Sequence, residues 1–202
     1  AAKGGSPGSK LNEALKTGGL TYKDTEHEYI GYPQHVAALM NGAIDASVTT
    51  EPSATQAVER GAAVRLAGAD PYPNQQIAVL LYGGDFIKKQ PQLAQKFMVA
   101  YLKAARFYND ALKDGRFAGP NAAEVIAILA ADSNVKDPAL YKKMTPNGIH
   151  PDGKINEASL ARDYQFYKDQ RYVNGSVKME QVIDTSFVNA AVKALGPYQP
   201  KQ

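Results

Sequence analysis

The chain has 202 residues, 44% of them hydrophobic, enough to bury the core of one large domain or two small lobes and not the composition of a disordered chain. Basic and acidic residues nearly balance, 23 against 20, and the lysines are scattered, which argues against a concentrated nucleic-acid-binding face. Cysteine is absent, removing disulfides, thiolate chemistry and cysteine zinc sites, and no apolar run approaches the roughly 18–20 residues that span a bilayer.

"KGGSPGSK" (3–10) reads as a glycine- and serine-rich loop that opens an amphipathic helix over 9–19, with Leu11, Ala14 and Leu15 apolar and Gly18–Gly19 as its stop. A strand is expected over 25–32. Pro33 then suits the first turn of a helix striped by Val36, Leu39 and Met40 and ended by Gly42. A second strand covers 43–49, a helix runs from Ser53 to Arg60 with Gly61 as stop, and further strands cover 63–68 and 75–83. Strand and helix alternating over short connections predict a parallel α/β lobe.

Beyond Gly83–Gly84 the pattern turns helical. Pro91 opens a long helix whose expected stripe is Leu93, Phe97, Ala100, Tyr101, Ala104, Tyr108 and Ala111, with Lys96, Lys103 and Asp110 opposite. Ala122, Val125, Ile126 and Leu129 mark the next helix. Leu160, Tyr164 and Tyr167 mark another. Phe187, Val188, Ala191, Val192 and Leu195 mark the last, closed by Gly196–Pro197. Residues 142–156 are rich in turn formers and read as surface loop. This helical part has no sheet of its own.

Two stretches carry candidate binding chemistry. The loop at 3–10 would present backbone N–H groups and a helix dipole to an anion, with Ser6, Gly8 and Ser9 lining it; the plain alternative is that Ser9 caps the helix. "TTEP" (49–52) falls at the carboxyl end of a predicted strand, where open parallel sheets bind ligands. Thr49, Thr50 and Glu51 could hydrogen-bond a solute, or Thr50 or Glu51 could cap the helix that follows. Tyr32, Tyr72 and Tyr82 follow or end strand-like runs and could wall a cleft, or sit half-buried at a sheet edge. Asp45 reads as a strand-start or edge residue. The three histidines, His27, His35 and His150, are far apart, so no metal site is expected, and nothing calls for a cofactor.

Residues 38–68, "ALMNGAIDASVTTEPSATQAVERGAAVRLAG", resemble the periplasmic substrate-binding proteins of ABC importers, in the nitrate/sulfonate/taurine-type branch related to the pyrimidine-precursor binding proteins of thiamine supply. The shared pattern is Leu39, Gly42, Ile44, Asp45 and Ala46, then Glu51–Pro52, then Ala57 and Gly61. Residues 85–110 resemble the next block of that family, and 5–24 its preceding loop and helix.

The resemblance implies a type II periplasmic-binding-protein fold, two α/β lobes joined by a hinge. It implies residues 1–80 as the second, ligand-binding lobe. Residues 81–202 would be the hinge return and a helical segment completing the first lobe, with Tyr82–Gly84 near the hinge. It also implies that the N-terminal part of the first lobe precedes residue 1. Function would be capture of a small anionic or aromatic solute of the sulfonate, nitrate, carboxylate or pyrimidine class. The solute would be delivered to a membrane permease by a periplasmic or membrane-tethered receptor, monomeric when complete and not an enzyme. The competing expectations are a thiamine-pyrimidine synthase-like enzyme on the same fold and a helical protein-interaction module. Known relatives of the first kind use a cysteine-rich motif that this chain lacks.

Overall fold

The computed structural model describes residues 3–174 and 177–201. The chain divides into two compact units, Ala1–Ala78 with Asn156–Ser176, and Val79–Ile155 with Val177–Gln202.

In the first unit, α1 spans Ser6–Thr17, α2 Tyr32–Met40 and α3 Ser53–Glu59. Helix α1 starts three residues earlier than the sequence suggests, because Gly5 is extended and Pro7 fits a first turn whose N–H groups need no helical partner. Ser9 therefore lies inside the first turn and does not cap it. The glycine stops behave as expected. After α2, Gly42 adopts φ 72 and Ala43 N–H reaches the Ala38 carbonyl; after α3, Gly61 adopts φ 65 and Ala62 N–H reaches Ala57. Both are left-handed turns that glycine takes without strain.

A later segment, α8 (Glu157–Asp169), completes this unit by packing on α1. Its buried face is Ser159, Asp163 and Phe166, not the expected stripe of Leu160, Tyr164 and Tyr167. The face is polar because its partners are polar. Ser9 Oγ donates to one carboxylate oxygen of Asp163, and Gln75 Nε2 donates to the other at 3.3 Å and to the Ser6 carbonyl at 3.0 Å. Ser159 Oγ accepts from Gln76 N–H at 2.9 Å, while the fully buried Tyr72 donates to the Ser159 carbonyl at 3.1 Å.

The second unit holds α4 (Gly84–Lys89), α5 (Pro91–Asp110), α6 (Ala122–Asp132), α7 (Pro138–Lys143) and α9 (Ser186–Leu195). Leu102, Val188 and Ala191 form the core between α5 and α9; Ile126, Ala130, Leu140, Tyr141 and Met144 form the core between α6 and α7. The buried face of α5 is Ala94, Leu102 and Ala105, so the expected stripe is rotated: Leu93 and Phe97 are each 50% exposed. Small alanines flanking Leu102 let α9 approach closely. Asp110, expected on the solvent face, is buried and accepts a 2.7 Å bond from Tyr198 Oη. Gly153 (φ 63) abuts this core so tightly that a Cβ there would lie 2.6 Å from a Val188 methyl.

The expected parallel sheet is not formed among the described residues. The stretches 26–31, 44–50, 63–67 and 75–83 form neither helix nor strand. The described ladder is a short antiparallel pair, β1 (Leu112–Lys113) with β2 (Arg116–Phe117), in register Leu112↔Phe117 and Lys113↔Arg116. Apolar alternation reports that a segment suits a pleated surface, whereas a parallel ladder needs a partner strand reached through a long crossover. Here the side chains that a sheet would cover stand in solvent: Leu66 is 87% exposed and Leu81 82%. In place of the expected α/β lobe, the described architecture is helices linked by segments without regular secondary structure, with one short antiparallel pair.

Candidate ligand-binding site

The 44–50 stretch ends in a polar turn that enters α3, and α2 supplies its floor. His35, buried on α2, joins two extended segments: one ring nitrogen lies 3.2 Å from the Ile30 carbonyl and the other 2.7 Å from Ser47 Oγ. A carbonyl only accepts, so Nε2 carries the proton and Nδ1 accepts from the Ser47 hydroxyl. Burial lowers the imidazole pKa, partly offset by the bond to Ile30, so the ring is neutral at neutral pH.

At the turn, the Thr50 carbonyl accepts from Ala54 N–H at 3.1 Å, and Ser53 Oγ donates to the Tyr32 carbonyl at 3.1 Å. The Glu51–Pro52 peptide is cis. Glu51 is 7% exposed, and both carboxylate oxygens are occupied: one accepts from Thr55 N–H at 3.0 Å, the other from Arg65 Nη2 at 2.8 Å. The capping role therefore holds for Glu51, and Arg65 adds a charge that the sequence pattern did not single out. Two hydroxyl oxygens nearby in sequence, Thr49 Oγ1 and Thr55 Oγ1, are buried without a hydrogen-bond partner. A buried hydroxyl left unpaired is costly, so such atoms mark places where a further polar group belongs.

The other candidates are placed as follows. Ser9 is tied to Asp163, and Gly8 packs where a Cβ would lie 3.3 Å from Tyr22 Oη and 3.6 Å from the Phe166 ring. Ser6 offers its carbonyl to Gln75. These three shape the α1–α8 seam. Tyr32 is half-buried, with its ring 5.4 Å from His35 and its carbonyl holding Ser53, so it joins Thr49–Glu51 around α2 and α3. Tyr82 belongs to the second unit, where its hydroxyl donates to the Ala94 carbonyl at 2.8 Å and its ring meets Phe86, Phe97 and Phe187 edge-on. Asp45 is exposed. His27 stacks on Tyr22 at 3.9 Å. Among the described residues, no group of three or more histidines and carboxylates is placed to hold a metal ion.

No curated protein and no solved structure matches the chain. A family model does: that of the NMT1-like family, over residues 1–130, which includes α1, α2, α3 and the Thr49–Glu51 turn. With well over half its length matched, the chain belongs to the NMT1-like family.

Proposed function

We propose that this chain is a solute-binding receptor of an ABC import system, not an enzyme. Family membership supports a transport-associated, substrate-binding protein of the periplasmic-binding-protein type. The reading continues to a small anionic or aromatic organic solute of the sulfonate, nitrate, carboxylate or pyrimidine class, handed to a membrane permease outside the cytoplasm. The absence of cysteine suits that compartment.

The observation that carries the site is the pair of unsatisfied hydroxyls, Thr49 Oγ1 and Thr55 Oγ1, beside a turn already fixed by Glu51. A solute oxygen or ring nitrogen that reached either hydroxyl would satisfy it. Arg65, 44% exposed and held by Glu51, would supply positive charge.

A thermal-shift panel of taurine, alkanesulfonates, nitrate, aryl carboxylates and pyrimidines tests the reading. A true ligand at 100 times its dissociation constant adds about 2.7 kcal/mol. Thr49→Val should abolish that gain and leave the apo protein as stable as before, since it removes a hydroxyl that has no partner. Glu51→Gln is a poorer probe, because it also weakens the Arg65 pair. If no panel member loses its stabilising effect in Thr49→Val, the site is overturned.

A further inference from the structure

An open hollow in the first unit has a chemistry different from that of the Thr49 turn. It offers about 410 Å³ and is lined by Lys3, Gly4, Tyr167, Arg171, Tyr172 and Val173. That volume lies within the usual small-molecule range. Among the described residues, no carboxylate lies within salt-bridge distance of its two cations, Lys3 and Arg171. The Lys3 ammonium is held instead by rings, 5.2 Å from the Tyr172 centroid and 6.0 Å from that of Tyr29. The hydroxyls of Tyr29 and Tyr172 bond at 3.0 Å, which fixes that wall.

Backbone geometry adds to the positive field. Gly4 precedes the N-terminus of α1, a helix with no side-chain cap and no acidic residue in its first turn. At the other wall Arg171 takes φ 58, and the N–H groups of Arg171 and Tyr172 close the last carbonyls of α8. Burial, with the nearby Asp163 charge and Tyr72 adding to it, pushes the Tyr167 phenol up to about 12, so it stays a neutral donor at physiological pH.

We propose that this hollow binds an aromatic carboxylate: the anion between Lys3 and Arg171, the ring against Tyr167 and Tyr172. The site is separate from the Thr49 turn and does not depend on the receptor reading. Isothermal titration of the chain with benzoate, cyclohexanecarboxylate and acetate at low ionic strength tests it. Benzoate should bind most tightly and acetate most weakly. Lys3→Ala and Arg171→Gln, both at exposed positions, should each weaken benzoate about tenfold and together abolish it, with circular dichroism unchanged. Undetectable benzoate binding, acetate equal to benzoate, or a double variant that binds like wild type would each overturn the proposal. Thr49→Val separates the two sites: if it removes benzoate binding while the double variant keeps it, the carboxylate sits at the Thr49 turn, and this inference fails while the receptor reading stands.

Discussion

In the first unit α8 meets α1 through Ser9, Asp163 and Gln75; in the second, α9 meets α5 through Leu102, Val188 and Ala191. Both are helix pairs separated widely in sequence. The apolar seam is non-directional and gains with every methylene it hides from water. The polar seam contributes little net energy per bond but suffers heavily when one partner is lost, because the other stays buried and unpaired. The first design tolerates rearrangement and resents cavities. The second tolerates almost no change of partner.

Leu102→Ala should therefore show the largest effect, a loss of about 4 kcal/mol in urea denaturation, since Leu102 is fully buried. Asp163→Ala should follow at about 3 kcal/mol, with Ser9 and Gln75 stranded together. A loss below about 1 kcal/mol for Asp163→Ala would mean water replaces the carboxylate freely, and the contrast between the seams would collapse. The double change Ser9→Ala with Asp163→Leu sharpens it: removing donor and acceptor together should cost clearly less than Asp163→Ala alone.

Acid should separate the units further. Burial depresses the His35 pKa below its unfolded value of about 6.5, so the unfolded state takes up the proton first. Stability from neutral His35 is full above that pH and is lost as pH falls through the folded value. In the second unit, burial of Asp152 works against its charge, but the 2.7 Å bond from Arg106, the Tyr198 N–H and the nearby positive charges outweigh it and hold the carboxyl below the usual range. That contribution survives until pH falls through the carboxylate range. Hydrogen exchange against pH should thus show amides around His35 losing protection before those around Asp152. Simultaneous loss would break the comparison, and His35→Gln should remove the early phase.

What the sequence discloses follows the same division. Helices α2, α3 and α9 are readable because their apolar positions and glycine stops are local signals, and α6 from its apolar positions alone. The buried face of α8 is not, since Ser159 and Asp163 look solvent-facing until Tyr72, Gln75 and Ser9 arrive from more than eighty positions away. Asp110 hides for the same reason, its partner Tyr198 being 88 positions away. The strands expected over 25–32, 43–49, 63–68 and 75–83 do not form, since pairing depends on neighbours that no local pattern specifies. In "TTEP" the capping role of Glu51 is legible, and Thr55 N–H bears it out. That Arg65 would take the other carboxylate oxygen, and that Thr49 and Thr55 would be left buried without partners, depends on three-dimensional company.

The receptor reading rests on those two hydroxyls, and a ¹⁵N–¹H NMR titration of the chain with the solute panel addresses them directly. At least one solute should shift the amides of residues 49–55 saturably, and Thr49→Val should abolish the shifts. If every panel member leaves these amides unmoved, the Thr49 turn is not a solute site and the account is contradicted.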